Sequence, residues 1–261
     1  MDRKGFKYSI SYLTGILAIF IASLWPAKIS AAGFSDETLH YVITYKWGLV
    51  HKDAADATLS LRGKGSNYHL TLTAKTKPWA DKIFKVRDTL LCSVSKTGFF
   101  PISYSKISHE GGSYRRDDIA YSRSGNKVSA AVSRTKIDKK GVKSSSKNNF
   151  SASGQAYDML SVFYWLRTLD YRALEQKKTF STNIFSGSKV ELLTIRYVGK
   201  ERIKLRNGTQ RDAIKITFSF TTEGRKKSSD NIEAWLSADS EHIPLQLIGK
   251  LPVGSVRVYL L

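Results

Sequence analysis

Cysteine is nearly missing from this chain: Cys92 is the only one in 261 residues. No internal disulfide can form. Flanked by Leu91 and Ser93, it reads as a small buried strand residue, the ordinary fate of a lone thiol. No cysteine lies near residue 32, so no lipoprotein acceptor is present. Acidic residues are scarce too, 22 against 42 Lys and Arg, which leaves a net charge of +20 at pH 7. Long apolar runs are confined to the first 32 residues. Motifs of known chemistry are also wanting. There is no Gly-x-Ser-x-Gly elbow, no phosphate-cradling glycine loop and no His-Glu-x-x-His. The five histidines, His40, His51, His69, His109 and His242, have no paired spacing that would hold a metal. Neither a metal nor a cofactor is therefore expected.

The one apolar run has the three parts of a secretory signal. Arg3, Lys4 and Lys7 precede an apolar core from Ile10 to Trp25; Pro26 breaks it, and Ser30-Ala31-Ala32 supplies small residues before Gly33. An uncleaved anchor would need about 20 apolar residues, more than this core provides. Residues 1–32 are therefore expected to be a cleaved signal peptide, and 33–261 a single β-rich domain, free in the periplasm or cell envelope and not a lipoprotein. Cleavage removes Arg3, Lys4, Lys7, Lys28 and Asp2, which lowers the charge from +20 to +17. Outside the cytoplasm that charge points away from nucleic acid. Membrane phospholipid, lipopolysaccharide phosphates and acidic wall polymers are the available anions.

Period-two alternation dominates the chain beyond residue 33. Leu39, Tyr41, Ile43, Tyr45, Trp47 and Leu49 predict one long strand with a buried face. The pattern recurs at Leu59-x-Leu61, Tyr68 to Ala74, Leu90 to Val94, Ile214 to Phe220, and in the last two segments from Ile243. Turn residues separate these runs at Gly63–Asn67, Ser124–Asn126, Asn207-Gly208 and Glu223-Gly224, of which Asn207-Gly208 is the strongest hairpin signal. About a dozen short strands imply a mainly β fold, an antiparallel curved sheet forming a barrel or half-barrel. One segment differs. Met159, Val162, Phe163, Leu166 and Leu169 have helical spacing, which predicts a helix over Asp158 to Tyr171 with Asp158 as N-cap, packed on or in the sheet.

Two stretches are basic: Arg134, Lys136, Lys139, Lys140, Lys143 and Lys147 in one, Arg225-Lys226-Lys227 in the other. Both read as exposed hairpin tips or loops and as candidate contacts for an anionic surface. Asp117 and Asp118 are adjacent, so on a strand they face opposite ways. Asp239 sits in a turn-like Ser237-Ala238-Asp239-Ser240, where turn hydrogen bonding accounts for it. Aromatic residues are abundant. Tyr45, Trp47, Phe163, Trp165 and Trp235 are the candidate lining of an apolar cavity between helix and sheet, and packed side chains filling the same space are the alternative.

The order of motifs in the second half resembles a known family. Asp158-Met159-Leu160-Ser161 with Tyr164 and Leu166-Arg167 is followed by Tyr197-Val198-Gly199-Lys200-Glu201, Ala213-Ile214-Lys215-Ile216, Trp235-Leu236-Ser237-x-Asp239, Ile243-Pro244 and Gly254-Ser255-Val256. This is similar to the domain-of-unknown-function 3108 family over about Asp36 to Leu261. His242 stands where many members carry arginine. The resemblance implies an exported envelope protein with a β-rich shape like the half-barrels of periplasmic lipoprotein carriers. It assigns Asp158, Ser161, Tyr164, Arg167, Asp239, Pro244 and Gly254 to motif positions, for which cap, ion-pair and turn roles are expected. The resemblance transfers no function by itself; export, aromatic content, the apolar helix and the basic charge point to three functions, in order of support. The first is a non-enzymatic binder of a lipid or amphiphile. The second is an interaction protein that holds an anionic wall polymer or outer-membrane complex through its basic surface. The third is a hydrolase using Asp239 or Asp158.

Overall fold

The computed structural model describes residues 33–187, 189–222, 231–251 and 253–261. Residues 1–32, expected to be a signal peptide, and the Arg225-Lys226-Lys227 stretch, with the turn at Glu223-Gly224, lie outside the described residues. Fifteen strands form one continuous sheet. The first half is a meander of eight: β1 (Glu37–Trp47), β2 (Val50–Lys64), β3 (Asn67–Thr76), β4 (Val86–Ser95), β5 (Pro101–Glu110), β6 (Ser113–Ser124), β7 (Lys127–Ile137) and β8 (Lys143–Ser153). The second half holds β9 (Ala156–Tyr157), β10 (Thr179–Phe185), β11 (Val190–Lys204), β12 (Gln210–Thr222), β13 (Ile232–Ser237), β14 (Pro244–Lys250) and β15 (Ser255–Leu260). Among the described residues three short helices accompany them: α1 (Pro78–Asp81), α2 (Ser161–Arg167) and α3 (Tyr171–Lys177).

The two meanders meet at the middle of the sheet, where β1 pairs with β15, and run outward to β8 at one edge and β9 at the other. Every neighbouring pair is antiparallel except β9 with β10. Since β8 and β9 are consecutive in sequence but occupy opposite edges, the chain at Gly154 and Gln155 draws the edges together. Asn183 Nδ2 donates to the Ser153 carbonyl (2.8 Å) across this seam. The sheet thus curls into a nearly closed barrel.

Alternation sets the inner wall. Tyr41, Ile43 and Tyr45, Leu59 and Leu61, Leu70 and Leu72, Leu90 to Val94, and Ile214 to Phe220 are buried in one continuous core. The expected strand at residues 39–49 ends earlier than its alternation. Trp47 is 42% exposed and Leu49 wholly so, because they form the projecting β1–β2 turn. The helical segment also departs from expectation. It is two helices rather than one over 158–171, broken where Thr168 N–H and Oγ1 both turn back to the Trp165 carbonyl. Asp170 then caps the second helix by accepting from Arg172 N and Ala173 N.

Candidate functional site

All seven residues of α2 are buried. The helix lies inside the barrel as a plug. The N-cap is Leu160 and not the expected Asp158, which stands two residues earlier and ties the entry instead: its Oδ1 accepts from Leu160 N and Ser161 N (both 2.8 Å), while Ser161 Oγ accepts from Asp158 N (3.1 Å). This reciprocal arrangement satisfies the first-turn donors that water cannot reach. The Cys92 thiol donates to Asp158 Oδ2 (3.1 Å), tying plug to wall. Burial raises the Asp158 carboxyl above its ordinary range against the pull of these donors, and it pushes the Cys92 thiol well up. The thiol is therefore held protonated and inert.

At the other end of α2, Arg167 forms an ion pair with Glu37 through both terminal nitrogens, and its Nε donates to the Glu241 carbonyl (2.9 Å). Its guanidinium stacks on the rings of Phe34 (4.9 Å) and Tyr164 (5.2 Å). His242 brings its Nδ1 to 3.0 Å from the Arg167 carbonyl and packs on Tyr171. Between these anchors Trp165 stacks on Tyr157 (4.7 Å). Phe163 borders an apolar recess with Tyr41, Leu59, Leu72 and Leu247 that offers about 10 Å³ to a water-sized sphere. That is room for about one water.

The five aromatic residues read as a cavity lining do not converge. Tyr45, Phe163 and Trp165 face the interior; the Tyr45 hydroxyl donates to the Val253 carbonyl (2.9 Å). Trp47 is on the exposed β1–β2 turn. Trp235 belongs to a separate cluster on the outer face with Ala213 and Leu245. There the β11–β12 hairpin, bent at the register shift between Tyr197 and Gly199, folds over the sheet like a strap. Ile203 and Leu205 cover the cluster, Trp235 Nε1 donates to Glu201, and Arg206 at the tip grips Asp53 (2.9 and 3.0 Å) and Thr44. Asp239 caps its turn, accepting from Ser237 Oγ (2.6 Å), Glu241 N (3.1 Å) and Arg211 Nη2 (3.0 Å). The Pro244 carbonyl accepts from the Tyr41 hydroxyl. Gly254 has φ +80°, and a Cβ there would stand 2.2 Å from the Lys46 carbonyl oxygen, so only glycine fits.

A row of charged side chains on the inner wall was not anticipated. Asp88, Lys106, Ser108 and Asp117 are buried, beside Glu110 and Arg115. Asp117 accepts from Arg134 Nε (2.5 Å) and Nη2 (3.0 Å), and Arg115 Nε lies 3.2 Å away. Arg134 also donates to the Gly187 carbonyl (2.9 Å), which fastens β7 to the β10–β11 turn across the mouth. Burial lowers the pKa of Lys106, opposed by Asp88 and Glu110. The signal was available: positions 88, 106, 108 and 117 continue the inward register of Leu90, Tyr104 and Ile119. Asp118, on the opposite face as expected, pairs with Arg116. Arg134 is thus committed inside the barrel. Lys136, Lys139, Lys140 and Lys143 sit instead around the β7–β8 tip, where Asp138 Oδ1 accepts from Lys140 N and Val142 N and shapes the turn. Residues 143–149 of β8 are exposed on both faces.

Fold and interior together define a class: a barrel-like antiparallel β protein filled by its own helix. A crystal structure of the same shape is that of a beta-barrel-like protein of domain of unknown function DUF1849 from Brucella abortus. It superposes with a TM-score of 0.59 at 12% identity, over 88% of this chain and 98% of that one. At that identity the fold alone is shared. Within the class, the chain belongs to the family described as Protein of unknown function (DUF3108), which matches residues 40–261. The motifs around Asp158 and in the C-terminal third had indicated this family. No curated protein matches the sequence.

Proposed function

We propose that this is an exported envelope protein that works without catalysis, holding an anionic cell-wall polymer or outer-membrane complex through its basic outer surface. The observation that carries this reading is a contrast. The barrel interior is occupied by α2, whereas Lys136, Lys139, Lys140 and Lys143 stand together on a hairpin that projects from the wall. A net charge of +17 without the leader supports it by drawing the protein to anionic polymers in general. Cosedimentation with isolated cell-wall polymer and with anionic vesicles, at rising salt, tests the proposal. Retention at low salt that fades as salt screens the lysines is the expected result. No retention at low salt would sink it.

An amphiphile held inside is the second reading, favoured by the apolar recess beside Phe163. Since that recess takes about one water, an acyl chain would enter only if α2 moved. Native mass spectrometry of protein from the periplasm distinguishes the two, because a co-purifying amphiphile would favour the interior site.

A further inference from the structure

The strand β8 ends the sheet, and its outer edge presents backbone groups of defined geometry. Its pairing with β7 is regular, without a register shift from Lys127↔Ser153 to Ile137↔Lys143. At the tip, Asp138 N donates to the Val142 carbonyl, and at the base Gly154 N donates to the Asn126 carbonyl. Both are hydrogen-bonded pairs, and such pairs alternate along an antiparallel ladder. Residues 144, 146, 148, 150 and 152 therefore point their backbone groups at β7. Lys143, Ser145, Lys147, Asn149 and Ser151 point theirs away from it. Ser153 confirms the parity, because its carbonyl faces outward to receive Asn183 Nδ2. Upstream of Ser153, none of the outward groups has a protein partner among the described residues.

This edge has little of the protection that native edges carry. It has no proline and no bulge; β11 and Asn183 come against its C-terminal part, and along the exposed stretch 143–149 its two lysines are the guard. Those lysines also select the occupant. Lys143 and Lys147 are four residues apart, so they share one face of the strand, about 13 Å from each other. The hairpin from Lys127 to Ser153 contains seven basic residues and one acid, Asp138, whose carboxylate is engaged within its own turn. A second copy of this chain pairing antiparallel through the same exposed stretch, centred on Ser145, would set Lys143 opposite Lys147, which is unfavourable.

We infer that β8 accepts an extended acidic segment of a partner protein as an added strand, with two carboxylates four residues apart facing Lys143 and Lys147. Backbone bonds to residues 143–151 supply the attachment, and the lysines set the register. This goes beyond the anionic-surface reading and is separable from it, because it requires backbone pairing and not charge alone.

The probe is a nine-residue Thr/Val peptide with Glu at its third and seventh positions, beside a control with Lys at both. Fluorescence anisotropy on the leaderless chain reads affinity, and amide hydrogen exchange by NMR reads the site. Saturable binding of the Glu peptide alone is expected, with new protection at Ser145, Lys147 and Asn149 but little change at Ser144, Ser146 and Asn148. Ser145→Pro removes an outward N–H and leaves the β7 ladder intact, so it should weaken the peptide about tenfold or more without lowering the melting temperature. The double substitution Lys143→Glu, Lys147→Glu should switch preference to the Lys peptide. No saturable binding would overturn the inference. So would binding indifferent to Ser145→Pro, the mark of charge without pairing. Protection of the odd-numbered amides in the protein alone, with a dimer in sedimentation, would overturn it in favour of a second copy.

Discussion

Only residues 154–160 lie between the most exposed strand of this molecule and its most buried helix. The strand β8 leaves Lys143–Asn149 open to water on both faces, whereas every side chain of α2, Ser161–Arg167, is inside the barrel. The difference in composition is the physical reason. Lys-Ser-Ser-Ser-Lys-Asn-Asn offers no apolar surface to bury, and Ser-Val-Phe-Tyr-Trp-Leu-Arg offers almost nothing else. Strand β8 is held by its ladder to β7, while α2 is held by packing and by polar anchors at each end. Stability should therefore reside in the plug, and the capacity for contact on the arm.

The largest effect expected is at the centre of the plug. Trp165→Ala removes a ring stacked on Tyr157 and packed near Phe180, in a helix that cannot collapse without unseating Asp158 or Arg167. A loss of about 3–5 kcal/mol is expected for such a truncation, measurable as a lower midpoint in urea unfolding. A loss below about 1 kcal/mol would show that α2 rests in the barrel without supporting it.

The anchor at Arg167 comes next. Arg167→Ala leaves the Glu37 carboxylate, 21% exposed, without its guanidinium and frees the Glu241 carbonyl. Breaking a buried pair from one side costs about 3 kcal/mol. Adding Glu37→Gln should return part of it, because the stranded charge is gone, and a double-mutant cycle measures how much.

Two carboxylates sharpen the contrast through pH. Asp158, inside, has its pKa raised by burial, so its protonated form favours the native state. Its contribution is greatest below the ordinary carboxylate range and is lost as pH rises through the folded value. Asp81, on α1 nearer the surface, behaves oppositely. The Arg87 hydrogen bonds bring its pKa from 3.8 to about 2. Its stabilisation is present above the ordinary value and lost as pH falls toward 2. Asp158→Asn should thus gain on the parent as pH rises from acid to neutral. Asp81→Asn should fall behind it over the same interval. Urea midpoints across pH would reveal the opposite slopes, and slopes of one sign would refute the assignment.

Much of this was legible in the residues. Period two marked the wall, Asn207-Gly208 marked its hairpin, and helical spacing marked the plug segment. Three features were hidden by longer-range causes. The helix breaks at Thr168 because Asp170 caps a second one, and a continuous apolar stripe conceals that. Trp235 is buried by the strap, so its alternation is the same whether it faces in or out. Arg134 looks like its basic neighbours in sequence, yet its register turns it inward to Asp117 and Gly187. The inner charged row was missed because polar residues at buried positions read as surface until the register is followed through them.

The smallest effect on folding is expected on the arm. Lys139→Ala, Lys140→Ala and Lys143→Ala remove charges that make no ion pair among the described residues, while Asp138 keeps the turn by accepting from backbone groups. Each change should alter stability by less than about 0.5 kcal/mol, as surface substitutions do away from caps and networks. Relief of repulsion within a strongly basic hairpin could make the triple variant slightly the more stable. If the arm is where the protein meets an anionic polymer, the same variant should lose retention on that polymer and show a shallower dependence on salt. Parallel urea unfolding and cosedimentation read both quantities on one preparation. A stability loss of several kcal/mol would merge arm and plug into one cooperative unit and dissolve the division between them.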